Sequence, residues 1–302
     1  MKTRAFSVPG APVTGAGGAL DAGASGGAGS SPNPTPLPGT ASSASRRFLY
    51  HAQAVGVAGQ VSGPPMQTIQ SQAPSVLAVT GGVSSSRVES FSHPSLLSCG
   101  PISTQVKGSY DRATQAHITE LTITIENLKV LDYVTADLVS TGLRATFAEG
   151  VPESSIVPLE SKIVNLRVGG SPVSVEIDPS IFSALDTFSK LQARLQSDSA
   201  FRAAQGNPPL GSTAVCTFAT KVSVDHPGVA VEGNAIHLPQ FATVYLAELI
   251  FQPKLRTIGM LRVELGSAPS RALPPVANSP IHQATGHVMA AHGSSDGEFF
   301  PP

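Results

Sequence analysis

The sequence predicts a mainly β protein: an antiparallel β-sandwich-like domain with one packed α-helix (about residues 179–203) and disordered N- and C-terminal tails. Three observations carry this. Apolar residues alternate with hydroxyl-bearing ones at a spacing of two. The pattern is clearest in ITELTITIENLKVL (118–131), where Leu121, Ile123 and Ile125 share one face and Thr122, Thr124 and Glu126 the other. Glycine and proline punctuate these runs at hairpin length. A single stretch departs from the two-residue period and follows a helical one.

Taken in order, residues 1–45 are glycine, alanine, serine, proline and threonine with hardly a charge. Such a segment cannot bury enough surface to offset its ordering entropy, which predicts a disordered linker. Gly15, Gly17 and Gly18 complete no phosphate-binding fingerprint. A single β-rich domain is predicted over 46–267. It opens with FLYHAQAVGVAGQV (48–61), with Leu49, Val55, Val57 and Val61 on the apolar parity. Short strands follow at 66–72 and 85–91, then longer ones at 102–110, 118–131 and 134–147. Gly169 and Gly170, which tolerate positive φ, join a strand at 154–168 to one at 172–178. The last strands are 213–224, 235–239 and the pair 241–251 and 255–265, turned back at Gln252, Pro253 and Lys254.

Between them, Ile181, Leu185, Phe188, Leu191 and Leu195 recur at helical spacing. Asp178 suits the cap and Pro179 the first helical position, while Asp186–Lys190 and Asp198–Arg202 are i,i+4 pairs. Gly206, Pro208 and Pro209 end it. Residues 268–302 return to linker composition and are predicted to be a flexible tail.

Charged residues make up 13% of the chain, and the net charge is −1. That is about half the usual charged share of roughly 25%. It offers no electrostatic footprint for nucleic acid. No apolar run is long enough for a transmembrane segment. Pro9, Gly10 and Pro12 interrupt the apolar stretch a conventional signal peptide would need. Trp is absent and Tyr is confined to Tyr50, Tyr110, Tyr133 and Tyr245, so aromatic platforms for sugars or bases are few.

No recognisable catalytic set emerges, and no cofactor or metal site is expected. Asp132 and Asp137 would act as acid and base only if a cleft held them apart and shifted their pKa values. Asp132 sits at a join between two β runs, where a carboxylate suits a turn, and Asp137 can face water from its strand. His117 and Glu120 would lie on opposite faces of one strand. His282, His287 and His292 recur every five residues, a spacing that fits neither a helix face nor a regular strand face. The terminal Phe299-Phe300-Pro301-Pro302 could dock in an aromatic groove. Cys99 and Cys216 are two buried thiols or, in an exported protein, a candidate disulfide.

YHAQAVGVAG (50–59), SQAPSVLAVTGG (71–82), ENLKVLDYVTADLV (126–139) and SKIVNLRVGGSPVSVEID (161–178) resemble bacterial choice-of-anchor proteins of the group designated P. FATVYLAELIFQP, continuing to MLRVELGS (241–267), is similar to them as well. The resemblance implies an exported or surface-associated β-rich module with no catalytic residues to carry over. This chain departs from that pattern in lacking a clear signal and anchor tail. The expectation is a non-enzymatic, extracellular or cell-surface structural or interaction module whose partner is a protein or cell-surface component. The alternatives are a cytoplasmic location, a ligand-binding β domain with a pocket between its sheets, and a hydrolase of unrecognised type using Asp132, Asp137 or His117.

Overall fold

Alternating side chains form the strands where the sequence places most of them. The structure, a computed structural model, describes residues 47–62, 67–94, 96–238, 242–266 and 285–300. The predicted linker over 1–45, residues 268–284 of the predicted tail with His282, and the terminal Pro301 and Pro302 lie outside these. The chain begins with β1 (Phe48–Ser62), β2 (Gln67–Gln72), β3 (Ser75–Val76), β4 (Gly82–Val88), β5 (Phe91–His93) and β6 (Leu97–Cys99). Three long strands follow, β7 (Ile102–Asp111), β8 (Ala116–Val130) and β9 (Val134–Ala148). The predicted strand at 154–168 is broken into β10 (Ser155–Pro158), β11 (Lys162–Val164) and β12 (Arg167–Val168), all paired to β9. Gly169 and Gly170, at φ +56° and +82°, turn β12 into β13 (Ser171–Ile177) as predicted.

The single predicted helix is corrected to three pieces. A 3-10 turn (Pro179–Phe182) is capped by Asp178, whose carboxylate accepts from Ser180 N at 2.9 Å. Helix α1 (Phe188–Ser197) is capped by Thr187, and α2 (Ser199–Ala204) by Asp198, which accepts from Phe201 N at 2.8 Å. Asp198 is thus an N-cap that stops one helix and starts the next. It pairs with Arg194 at 2.8 Å instead of Arg202, while the predicted Asp186–Lys190 pair forms at 2.7 Å. Phe182, Leu191 and Leu195 are buried, as the apolar stripe requires.

The chain closes with β14 (Ala214–Thr217), β15 (Ala219–Val224), β16 (Ala230–Glu232), β17 (Ala235–Leu238), β18 (Ala242–Phe251), β19 (Arg256–Leu265) and β20 (Thr285–Phe299). The predicted strand at 213–224 changes sheets at the buried Phe218, so β14 pairs with β18 and β15 with β13. All pairings are antiparallel. The first sheet runs β16-β17-β18-β19-β20-β1-β2, with β14 beside β18 and β3 beside β1. The second runs β15-β13-β12-β9-β8-β6-β5, with β10 and β11 on β9 and with β7 linking β8 to β4. The core lies where β1 and β20 pack on β7, β8 and β9.

Strand β20 corrects the predicted flexible tail. Residues 285–299 lie inside the first sheet, paired to β1 along Phe48–Ser62 and to β19 along Arg256–Leu265. Small residues such as Ala290, Gly293 and Ser295 give it linker composition. In this position small size permits two sheets to approach, and Ser295 Oγ meets Thr119 Oγ1 across the interface at 2.5 Å.

A second correction concerns strand parity. The inward residues of β1 are Phe48, Tyr50, Ala52 and Ala54, then Val57, where the sequence predicts Leu49 and Val55 on the apolar side. One transverse row causes the switch. Register passes from Val55↔His292 to Val57↔Ala290, and from Glu248↔Gly259 to Leu246↔Leu261, leaving out Gly56, Ala291, Met260 and Ala247. Ala247 and Ala291 have φ of +51° and +52°. One unpaired residue in each of four neighbouring strands, a bulge shared across the sheet with no change of register offset, exchanges its inner and outer parity. Asn127, at φ +51°, does the same in β8, opposite Asp137.

Candidate functional site

The three residues considered for chemistry are not brought together. Asp132 stands exposed at φ +51° in the three-residue turn from β8 to β9. A backbone bond from Tyr133 N to Val130 O closes that turn at 3.1 Å. Asp137 is exposed and accepts from Asn165 Nδ2 at 2.6 Å. It alternates with the buried Val134 and Ala136 and lies opposite Asn127. His117 belongs to an aromatic cluster bridging the sheets: Phe48 stacks on it at 4.2 Å, and a 2.7 Å hydrogen bond joins Tyr50 Oη to its Nδ1. Burial pushes its pKa down, which favours the neutral ring. Glu120 faces away from it and lies 3.6 Å from Arg144.

Cys99 on β6 and Cys216 on β14 are free, buried thiols in different sheets, so the candidate disulfide is not formed in this structure. Burial pushes the Cys216 thiol up to about 12, against a smaller opposing effect of the nearby Arg256 guanidinium. Arg256 is itself buried beneath the Phe251 ring at 4.5 Å, and burial lowers its pKa to about 10. The native thiols are therefore expected to resist Ellman's reagent at pH 8 and to react as two equivalents only after unfolding. A fully denatured, unreduced chain with no reactive thiol would show a bond instead.

The parity switch has a further effect on β20. His287 and His292 would sit on opposite faces of a regular strand, yet the bulge at Ala291 puts both on the outer face. They are not assembled with a third ligand, and among the described residues no group of His, Cys, Asp and Glu is arranged to hold a metal. On the same face Arg262 lies 3.9 Å over the Tyr245 ring. It donates through Nε and Nη2 to both Glu248 oxygens at 2.7 Å, and also to Glu264. That network occupies both carboxylates on one guanidinium and ties β18 to β19.

The outer face does carry a groove of about 420 Å³, near the Phe48 end of β1. Register aligns its floor: His51 lies opposite Asp296, and Gln53 opposite Ser294. Val76, paired beside Gln53, and Val79 form one wall; Leu255, leading into β19, forms the other. Backbone bonds from Tyr50 N to Val79 O (3.0 Å) and from Leu77 N to Ala52 O (2.9 Å) hold the valine wall against β1. Val76 and Val79 are 65% and 53% exposed. His51 Nδ1 lies 3.5 Å from Asp296 Oδ1. Burial raises the Asp296 pKa, His51 and Lys254 oppose that rise, and Glu298 adds to it. Local sequence pattern gives no signal for this site, because it joins four separated stretches and depends on the parity switch to point Ser294 and Asp296 outward.

The arrangement defines a two-sheet antiparallel β-sandwich with a surface groove, and none of its described helices is long and apolar enough to cross a membrane. The chain belongs to the family described as Domain of unknown function (DUF8256), which matches residues 48–208, just over half its length. The matched stretch runs from β1 through α2, so the groove draws His51, Gln53, Val76 and Val79 from it and Leu255, Ser294 and Asp296 from outside it. No curated protein and no solved structure matches the chain.

Proposed function

We propose that this protein is a non-enzymatic interaction module, exported or held at the bacterial surface in the manner its resemblance to choice-of-anchor proteins implies. It engages a protein or cell-surface component through the outer face of its first sheet. The groove carries this reading. It is where exposed aliphatic side chains and a partly buried carboxylate converge, and such a combination is characteristic of contact surfaces. Asp132, Asp137 and His117 do not line it and share no hydrogen bond with one another, although His117 bonds to the lining residue Tyr50. The low charge favours neither nucleic acid nor an anionic membrane as partner. Peptide mass mapping of culture supernatant and surface washings against cytosol tests the location. Peptides of this chain are expected in the first two fractions, and their confinement to cytosol would defeat the reading.

A further inference from the structure

We propose that the groove takes a lysine side chain presented on an extended segment of a partner protein, with the ammonium on Asp296 and the alkyl stem along Val76, Val79 and Leu255. This rests on reading the groove as a contact surface and adds the chemistry of what is contacted.

Charge complementarity supplies the first argument. The titratable groups lining the groove are Tyr50, His51 and Asp296, and Lys254 and Glu298 stand close enough to act on Asp296. Lys254 and Glu298 engage each other at 3.2 Å, which leaves Asp296 as the uncompensated charge. Its one ion pair among the described residues, to His51 at 3.5 Å, is longer than a charge-assisted hydrogen bond, and it makes no hydrogen bond among them. A carboxylate partly removed from water without a close partner is raised in free energy, and a ligand cation restores what it lacks.

The carboxylate geometry selects the cation. His51 already lies against Oδ1, so a cationic ligand would share the carboxylate with it. A guanidinium binds best when both oxygens accept its fork, whereas an ammonium needs only one. The walls then select the stem. Val76 and Val79 expose aliphatic surface on one side and Leu255 stands on the other, a channel suited to a run of methylenes. A volume of about 420 Å³ exceeds what one lysine side chain fills, so residues flanking it on an extended partner would share the valine wall.

The test uses the full-length, isotope-labelled chain titrated with an acetylated, amidated pentapeptide carrying lysine at its centre between threonines and valines, and with its norleucine counterpart. The lysine peptide is expected to shift the resonances of Val76, Val79, Leu255, Ser294 and Asp296 and to bind about tenfold more tightly than the norleucine peptide. Asp296→Asn is expected to erase that preference, while Val79→Ser weakens both peptides and keeps it. Equal binding of both peptides with the same shifts would overturn the ammonium assignment and leave the contact surface standing. If neither peptide moves these residues, both readings fall.

Discussion

A chain lacking residues 285–302 is expected to lose cooperative folding, whereas a chain lacking residues 1–45 is expected to melt almost as the full protein does. The difference follows from where each segment sits in sequence and sheet. β20 lies between β1 and β19, and its removal leaves facing edges along Phe48–Ser62 and Arg256–Leu265 with unpaired backbone groups inside the sheet. Each buried donor or acceptor left without a partner costs about 1–3 kcal/mol. A whole domain is stable by only about 5–15 kcal/mol, so a few such losses exceed what is available. Val288, Ala290 and Ala291 are fully buried and would go with it, as would the partner of the Thr119 hydroxyl. Residues 1–45, by contrast, have almost no large apolar side chains to place in a core. Thermal circular dichroism on the two truncated chains distinguishes the cases. A sigmoidal melt for the chain ending at 284, within a few degrees of the intact protein, would show β20 to be dispensable.

The second large effect is expected at Gly56. A Cβ there would stand 2.1 Å from Ile102 Cγ2 and 3.1 Å from Gln72 O, because the parity switch drives the β1 backbone toward the facing sheet at this point. Ile102 is fully buried and cannot swing into solvent. Gly56→Val is therefore an overpacking substitution, with a cost of about 3 kcal/mol. For a domain of this size that corresponds to a melting temperature lower by about 6–12 °C. Pairing it with Ile102→Ala is expected to give a double variant less destabilised than the two single effects summed, since the second change vacates the volume the first one needs. Urea unfolding of the four proteins measures this, and strict additivity would show that the contact with Ile102 is not the cause.

Most strands were legible because a half-buried strand writes its burial into alternate positions. β8 is the clearest case, since Leu121, Ile123 and Ile125 are buried and Thr122 is exposed. The Gly169-Gly170 turn was legible for a conformational reason, as was the cap at Asp178 for a hydrogen-bonding one. Three features were not. A bulge residue such as Ala247 or Ala291 has no distinctive side chain, so the parity reversal it causes leaves no local mark. β20 draws its stability from pairing on both sides, which small residues permit but do not advertise. Asp198 serves equally as a polar residue within a helix and as the cap of a new one, and only tertiary packing decides between them. The groove inherits all the difficulty of the first two, because Ser294 and Asp296 belong to β20 and face outward only through the bulge.

The pairing of β1 with β20 also places Arg47 beside Phe300, with Phe300 N donating to Arg47 O at 2.7 Å. The body is thus almost a closed loop of chain. A short bridge from 300 to 47 could join the ends, and a new opening in the exposed stretch around Leu210 would give a circularly permuted protein with every strand partner preserved. The seam falls near the rim of the groove floor, formed by His51 and Asp296. A domain attached directly at residue 47 or 300 therefore emerges at one corner and beside the groove, so a bulky one there risks shielding it.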